Sequence, residues 1–156
     1  MVQTSRLAGV VTWVLRRRST WTEVLLVRSG AAADAPGEAA DPAAWGPVRG
    51  SVGEGESEAR AALRSLDGAT GLRERRVYVA PLAAFGSGPG MERIGIFVAV
   101  VPDRVESPGF EAADVHVWLP IREAARELQD PADRAALAQV EARFVRASPD
   151  ESLRIA

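Results

Sequence analysis

The start of the chain alternates apolar runs and polar breaks in a pattern that predicts two strands. Residues 6–16 are rich in Val, Trp and Thr, and residues 21–28 repeat that composition after a polar break. β-Branched and aromatic side chains favour strands, so we expect two strands joined by a short turn. The next segment, residues 30–44, has small side chains, two prolines and no large apolar residue. We predict a mobile loop here, because the segment can bury too little surface to offset the entropy of ordering.

A helical period begins after Ser57, which can cap a helix that runs to about Leu66. Residues at i, i+3, i+4 and i+7 form one apolar stripe, and they are Ala59, Ala62, Leu63 and Leu66. The opposite face is predicted to carry Glu58, Ala61, Arg64 and Ser65. Asp67 and Gly68 then form a turn signal, and Gly costs about 1 kcal/mol relative to Ala inside a helix. We therefore expect any further turn of this helix to be weak or frayed.

The second half of the chain predicts further strands and then helices. Residues 75–85 and 92–101 have strand composition, and residues 115–119 form another short apolar run. Pro120 can open a short helix over residues 121–128, since proline is tolerated in a first helical turn. The apolar period of residues 130–145 predicts the last helix. This order of elements indicates an α+β or α/β sandwich, and 156 residues suit one domain over residues 1–156.

Composition and charge exclude several classes of function. The 19 basic residues are all Arg and face 21 acidic ones, for a formal net charge of -2, so the field of a general nucleic-acid binder is absent. Without Lys or Cys, Schiff-base, P-loop, thiolate-metal and disulfide chemistry are excluded. No apolar run reaches the 18 to 20 or so residues of a membrane span. We expect a cytoplasmic protein with no membrane partner.

The segment from Gly50 to Leu72 reads GSVGEGESEARAALRSLDGATGL. It resembles the signature of the Nudix hydrolase family, G-x5-E-x7-R-E-U-x-E-E-x-G-U, in which U is an aliphatic residue. Matching residues with the right spacing are Gly50, Glu56, Arg64, Leu66, Gly71 and Leu72. The segment from Trp45 to Val52, which overlaps the start of the signature, looks most like the sequences of one branch of the family. That branch includes the bacterial dATP and dihydroneopterin triphosphate pyrophosphohydrolases.

This resemblance implies an α/β/α sandwich with a mixed sheet and a site built on the loop and helix of the signature. In the family, helix carboxylates hold Mg²⁺ on the diphosphate of a nucleoside-diphosphate-linked substrate. Hard cations suit this task because they neutralise the diphosphate and orient the attacking water. Trp45 stands where a base could stack, and Arg49 and Gly50 follow it as candidate ligand-binding residues. Homodimers are common in the family, so a homodimer is an open alternative here.

The chain departs from the signature at three positions. Ser65, Gly68 and Ala69 stand where the family has its principal metal-binding glutamates. Hydroxyl, hydrogen and methyl side chains supply too little negative charge for Mg²⁺ to exchange its hydration water for them. Glu56 and Arg64 remain, but the resemblance gives them supporting roles.

Three hypotheses follow from this departure. The first is a Nudix-fold protein that is weak or inactive as a Mg²⁺-dependent hydrolase and binds a nucleotide or another diphosphate. The second is an active hydrolase with a relocated metal site, for which Glu56, Glu111 and Asp114 are the candidate residues. The third is an interaction module that keeps the sandwich only as a scaffold.

Arginines and tryptophans outside the signature are expected to have structural roles. The arginine runs at residues 16–18 and 73–76 are predicted to be solvated strand ends, although an Arg fork also suits an anion. Core or sheet-face positions are predicted for Trp13, Trp21, Trp45 and Trp118.

Overall fold

The computed structural model describes residues 7–28, 44–80, 93–104 and 115–156. Its strands and helices are β1 (Leu7–Arg17), β2 (Thr22–Arg28), β3 (Val48–Gly50), α1 (Glu58–Thr70), β4 (Arg76–Val79), β5 (Arg93–Val101), β6 (Val115–Pro120), α2 (Ile121–Glu127) and α3 (Pro131–Val140). A π-helical turn, Glu141–Val145, continues α3, and a 3-10 turn, Glu151–Leu153, follows. The predicted loop over residues 30–44 lies outside the described residues except for its last position.

The six strands form one mixed sheet in the order β4-β5-β1-β2-β6, with β3 beside β1. Strands β1 and β5 are parallel, and the other pairs are antiparallel. One edge of β1 is shared, because its first half pairs with β3 and its second half pairs with β2. Strands β2 and β3 thus follow one another along the same edge of β1.

Each face of the sheet carries its own apolar core, because successive strand residues point to opposite faces. Trp13 and Leu26 pack on one face beneath α2 and α3. Val14 and Leu25 pack on the other face beneath α1. The predicted α/β sandwich with a mixed sheet is confirmed. In the described residues, no helix is long and apolar enough to cross a membrane.

Helix α1 is longer than predicted and runs through Gly68 to Thr70. The prediction of a weak end near Leu66 was wrong because the Thr70 side chain and the Gly71 cap hold the last turn. The buried Thr70 hydroxyl donates to the Leu66 carbonyl at 2.7 Å and accepts from the Leu72 N–H at 3.1 Å. Gly71 takes the left-handed conformation at φ 65° and closes the helix.

The predicted polar face of α1 is also wrong at Ala61, which is fully buried. The reason is that α1 lies across three strands. Ser65 contacts β3 so closely that a Cβ on Gly50 would sit 2.5 Å from its own Cβ, and Glu58 lies against Gly95 of β5. Ala61 therefore faces the sheet. If only the predicted apolar stripe of α1 faced the sheet, Ala61 would lie at the side of the helix.

Two further predictions fail at the strand ends. Arg16 is only 4% exposed, because its guanidinium lies 4.2 Å from the centroid of the Trp118 ring and binds Glu23 across the strand pair. Trp21 is 48% exposed. It precedes the first paired residue of β2, Thr22, and so lies outside the ladder.

The last residues of the chain cover the edge strand β4, which the sequence pattern did not indicate. The Val77 N–H donates to the Ala156 carbonyl at 3.1 Å, and the Ile155 N–H donates to the Val77 carbonyl at 2.8 Å. The Tyr78 hydroxyl donates to Glu151 at 2.7 Å. These bonds satisfy backbone groups that an open sheet edge would leave exposed.

Candidate functional site

The loop between β3 and α1 is fixed by one ion pair and its hydrogen bonds. The Arg64 guanidinium donates from Nε to Oε2 of Glu56 at 2.8 Å and from Nη2 to Oε1 at 2.9 Å. Its Nη2 also donates to the Ser51 carbonyl at 2.6 Å, and the Gly53 N–H donates to Oε1 of Glu56 at 2.9 Å. We call Ser51, Gly53, Glu56 and Arg64 the box clamp.

The box clamp keeps the Glu56 carboxylate ionised. Hydrogen bonds from Arg64 and then from the Gly53 N–H lower the pKa of Glu56 to about 2. Both carboxylate oxygens already accept bonds from the protein. Glu56 therefore holds the loop in place, and a metal ion would have to compete with Arg64 for the same oxygens.

The three signature positions that lack glutamate, residues 65, 68 and 69, lie on α1. Ser65 is partly buried, and its hydroxyl donates to the Ala62 carbonyl at 3.1 Å. Gly68 is exposed, with nothing within 4 Å of a Cβ built on it. Ala69 packs against the core of the α1 face. These side chains offer one hydroxyl oxygen and no charge.

The neighbouring acidic residues of α1 have other roles. Asp67 accepts from Arg75 Nη2 at 3.0 Å, and Arg75 also donates to the Leu72 carbonyl at 2.8 Å. Glu58 lies against Gly95 with its Oε1 buried. Across the described parts of the chain, no three His, Asp or Glu side chains are grouped to hold a metal ion. The described side chains of this site therefore do not fit Mg²⁺. Glu111 and Asp114 lie outside the described residues.

A second group of side chains lies where β2 meets the segment before β3. Val27 and Gly46 exchange two backbone hydrogen bonds, at 2.9 and 3.0 Å. Arg28 and Trp45 are therefore opposite neighbours, and the Arg28 guanidinium lies 4.4 Å from the centroid of the Trp45 ring. This is the distance of a cation–π contact.

Arg49 binds across the molecule to α3. Its Nη2 donates to Oδ2 of Asp133, which is only 8% exposed, whereas about half of the Arg49 side chain is exposed. Burial raises the pKa of Asp133, and the charge of Arg49 opposes that shift. We call Arg28, Trp45, Arg49 and Asp133 the arginine corner.

The structure divides the predicted site residues between these two groups. Glu56 and Arg64 lie in the box clamp, and Trp45 and Arg49 lie in the arginine corner. Gly50 joins the two groups, since it stands between Arg49 and Ser51 in the sequence.

Sequence reasoning missed Arg28 and Asp133. A lone cation at the end of a strand was a weak signal for Arg28. Asp133 lies 84 positions from Arg49, so no local pattern could have paired them.

The sequence matches the family model of the NUDIX domain over residues 5–140. The chain belongs to the Nudix family. This confirms the predicted family, and no curated protein matches the chain in sequence.

Three solved Nudix structures illustrate the likeness. The E. coli dihydroneopterin triphosphate pyrophosphohydrolase is 17% identical with a TM-score of 0.66, over 86% of this chain and 94% of its own. A C. elegans Ap4A hydrolase in a binary complex is 16% identical with a TM-score of 0.67, over 87% and 96%. The NUDIX domain of Shewanella oneidensis NrtR, complexed with ADP ribose, is 14% identical with a TM-score of 0.66, over 90% and 89%. At these identities, the likeness shows the Nudix fold.

Proposed function

We propose that this Nudix protein binds a nucleotide or a similar diphosphate and has weak or no Mg²⁺-dependent pyrophosphohydrolase activity. The observation that carries the proposal is the side-chain set on α1. Ser65, Gly68 and Ala69 provide no carboxylate, and the Glu56 carboxylate is bonded to Arg64.

Charge explains why this set favours binding over hydrolysis. Mg²⁺ gives up its hydration water reluctantly and is held in proteins mainly by carboxylates and substrate phosphates. A site with one hydroxyl contributes no negative charge to offset that dehydration. Without the cation, the negative charge of the diphosphate disfavours attack of an electron pair on phosphorus, and no metal ion orients or activates the water.

The arginine corner supports binding of an anion. Arg49 is held on one edge by Asp133, and about half of its side chain is exposed. An Arg guanidinium has five N–H donors, so an anion can bind while Asp133 remains in place. The Arg49 guanidinium lies 3.5 Å from a Cβ built on Gly46, and the adjacent Trp45 supplies an aromatic surface. Gly50 follows Arg49 in β3. The bound ADP ribose of the NrtR domain supports the choice of a nucleotide diphosphate as ligand.

The proposal is tested by measuring binding and turnover on the same protein. The probes are ADP ribose, Ap4A and dihydroneopterin triphosphate, each with Mg²⁺ and with EDTA. We expect a ligand-induced rise in thermal midpoint for at least one probe, since a ligand that binds only the folded state stabilises it. Release of phosphate or pyrophosphate should stay at the level of the metal-free blank.

Each other outcome selects a different hypothesis. Mg²⁺-dependent turnover that is lost in Glu111→Gln or Asp114→Asn would support a relocated metal site and contradict the proposal. No thermal shift at millimolar concentration of any probe would contradict binding and favour an interaction module.

A gain-of-site variant tests the charge argument directly. The triple variant Ser65→Glu, Gly68→Glu and Ala69→Glu should bind Mg²⁺, measured by calorimetry. The matched control changes the same three positions to Gln, which has nearly the same shape and no charge. Failure of the glutamate variant to bind more Mg²⁺ than the control would show that the missing carboxylates are not the reason for the loss.

A further inference from the structure

Asp133 occupies one side of the Arg49 guanidinium, and much of the rest of that side chain is open to solvent. The Asp133 side chain is 11% exposed, whereas the Arg49 side chain is 49% exposed. Nη2 of Arg49 donates to Oδ2 of Asp133, and among the described residues Asp133 is the one hydrogen-bond partner of this guanidinium. An anionic group of the protein itself therefore already lies against the cation that is proposed to receive a ligand.

Packing holds the Asp133 carboxylate beside Arg49. A Cβ built on Gly46 would lie 3.7 Å from Oδ2 of Asp133 and 3.5 Å from Nη2 of Arg49. Gly46 is itself fixed by two backbone hydrogen bonds with Val27. Asp133 lies in the first turn of α3, directly after the N-cap Asp130 and two further residues. The carboxylate therefore remains close to Arg49 when a ligand approaches from solvent.

An anion bound on the exposed side of Arg49 lies near the Asp133 carboxylate, because both contact one guanidinium. The two negative charges repel each other, and over about 7 Å near a protein surface this repulsion weakens binding by about 5- to 50-fold, depending on the salt concentration. Asp133 also holds the guanidinium in one orientation, which strengthens binding by about 2- to 10-fold because less side-chain freedom remains to be lost. Repulsion is therefore the larger of the two effects.

We infer that Asp133 sets the affinity of the arginine corner: its charge opposes the anion that binds Arg49, and binding is strongest when Asp133 carries a proton. This inference rests on the proposed function and concerns the same site. Because Asp133 acts through Arg49, it is a positioning residue and does not contact the ligand.

The protonation of Asp133 links binding to pH. The charged groups that act on its carboxyl are Arg49, across the ion pair, and Asp130 of the same helix, while Gly46 brings no charge. Burial raises the pKa of Asp133, Asp130 adds to the rise, and Arg49 opposes it. A bound anion adds negative charge and raises this pKa further. Binding therefore takes up a proton, and the affinity increases as the pH falls through the pKa values of the complex and of the free protein.

The test compares the affinities of wild type, Asp133→Asn and Asp133→Ala for ADP ribose, measured by calorimetry in EDTA at neutral pH. Asparagine keeps the size of the side chain and an oxygen that can accept from Arg49, and it removes only the charge. We expect Asp133→Asn to bind about 5- to 50-fold more tightly than wild type. Asp133→Ala also loses the hold on Arg49 and should gain less. Glu123→Gln, at an exposed position of α2, is the matched control and should bind as wild type does.

The pH profile of binding is a readout that a merely structural role would not change. As the pH falls from 8 to 5, the wild-type affinity should approach that of Asp133→Asn, whose own affinity should change less. Titration of the probe or of other groups affects both proteins alike. Calorimetry in two buffers of different ionisation enthalpy should show more proton uptake by wild type than by Asp133→Asn.

The outcomes separate the inference from the proposed function. If wild type binds ADP ribose and Asp133→Asn binds it equally well or more weakly, Asp133 only holds Arg49 in place, and the inference is wrong while the proposed function stands. Equal pH profiles and equal proton uptake in the two proteins would overturn the inference in the same way. If neither protein binds any ligand of the earlier panel, the proposed function and the inference are overturned together.

Discussion

The box clamp and the arginine corner both place arginine side chains beside the signature segment, and they differ in how completely those side chains are bonded. In the box clamp, both oxygens of Glu56 accept bonds and Arg64 also reaches the Ser51 carbonyl. In the arginine corner, Arg49 has one carboxylate partner and about half of its side chain is exposed, and the described residues give the Nε of Arg28 no acceptor.

This difference separates a group that holds shape from a group suited to receive a ligand. A set of polar groups whose bonds are all made within the protein stabilises one conformation. A desolvated donor without an acceptor lowers stability, and such a feature is commonly kept for function. The box clamp thus preserves the loop of a Nudix site, and the arginine corner offers the unfilled donors.

The largest effect on stability is expected at Gly50, which stands between Arg49 of the arginine corner and Ser51 of the box clamp. A Cβ there would lie 2.5 Å from the Ser65 Cβ and 2.8 Å from its Oγ. Gly50→Ala must push β3 away from α1, and we expect it to lower the free energy of unfolding by about 2 to 3 kcal/mol. Urea denaturation measures this, and an unchanged midpoint would show that the two elements are not in tight contact.

The next effect is expected from breaking the arginine corner at α3. Asp133→Ala leaves Arg49 without its carboxylate partner. Because Arg49 is about half exposed, water can replace part of the lost bond, and we expect a loss of only about 1 to 2 kcal/mol. Denaturation of Asp133→Ala beside Glu127→Ala, an exposed acidic position on α2, would separate the ion pair from a general charge effect.

A smaller effect of opposite sign is expected at Gly68. Nothing lies within 4 Å of a Cβ built at this position, so Gly68→Ala adds helix propensity without a clash. We expect a gain of about 0.5 to 1 kcal/mol. This variant is also the steric control for Gly50→Ala, and a loss of stability would mean that the last turn of α1 is packed more closely than the structure shows.

The last effects depend on pH. The first of them is expected at Glu56, where Glu56→Gln differs most from wild type at neutral pH and the difference disappears at low pH. The pKa of Glu56 is about 2 against 4.5 for a free glutamate. Its ionised form therefore stabilises the fold above pH 4.5, and this stabilisation is lost as the pH falls towards 2. The stabilities of wild type and Glu56→Gln should converge over that range, measured by urea denaturation at several pH values.

Asp133 should show the opposite sign. Burial raises its pKa above 3.8 in the folded state. The stability of wild type relative to Asp133→Asn should therefore be greatest below pH 3.8 and should fall as the pH rises through the raised pKa. If stability changed with pH in the same direction for the Glu56 and Asp133 variants, the contrast between the box clamp and the buried Asp133 carboxylate would be contradicted.

Local sequence patterns predicted most of the fold. The start of α1 follows from Ser57, whose hydroxyl accepts from the Arg60 N–H at 3.2 Å. Strands β1, β2, β5 and β6 and helix α2 also lie within one residue of their predicted bounds. The short strand β3 was not predicted, β4 is shorter than the predicted strand over residues 75–85, and the last predicted helix ends in a π-helical turn. The end of α1 was not predicted, although Thr70 and Gly71, which close the helix, lie within the local sequence. The burial of Thr70 depends on packing that the helical period does not encode.

The candidate site was predictable only in part. The resemblance to the signature identified Glu56 and Arg64 separately as site residues. That they bond to each other was not predicted, and the structure joins them by two hydrogen bonds. The bonding state of Arg28 has no signature in the sequence, since it depends on which side chains the fold brings near its Nε.

By itself, the amino-acid sequence determined the alternation of strands and helices, the family signature and the missing carboxylates, because each of these depends on residue types at short spacings. Tertiary structure alone decided that α1 lies across three strands, that Asp133 of α3 binds Arg49, and that the Nε of Arg28 is buried with no acceptor among the described residues. The physical reason is that burial and charge pairing depend on distances between elements far apart in the chain, which local periodicity does not encode.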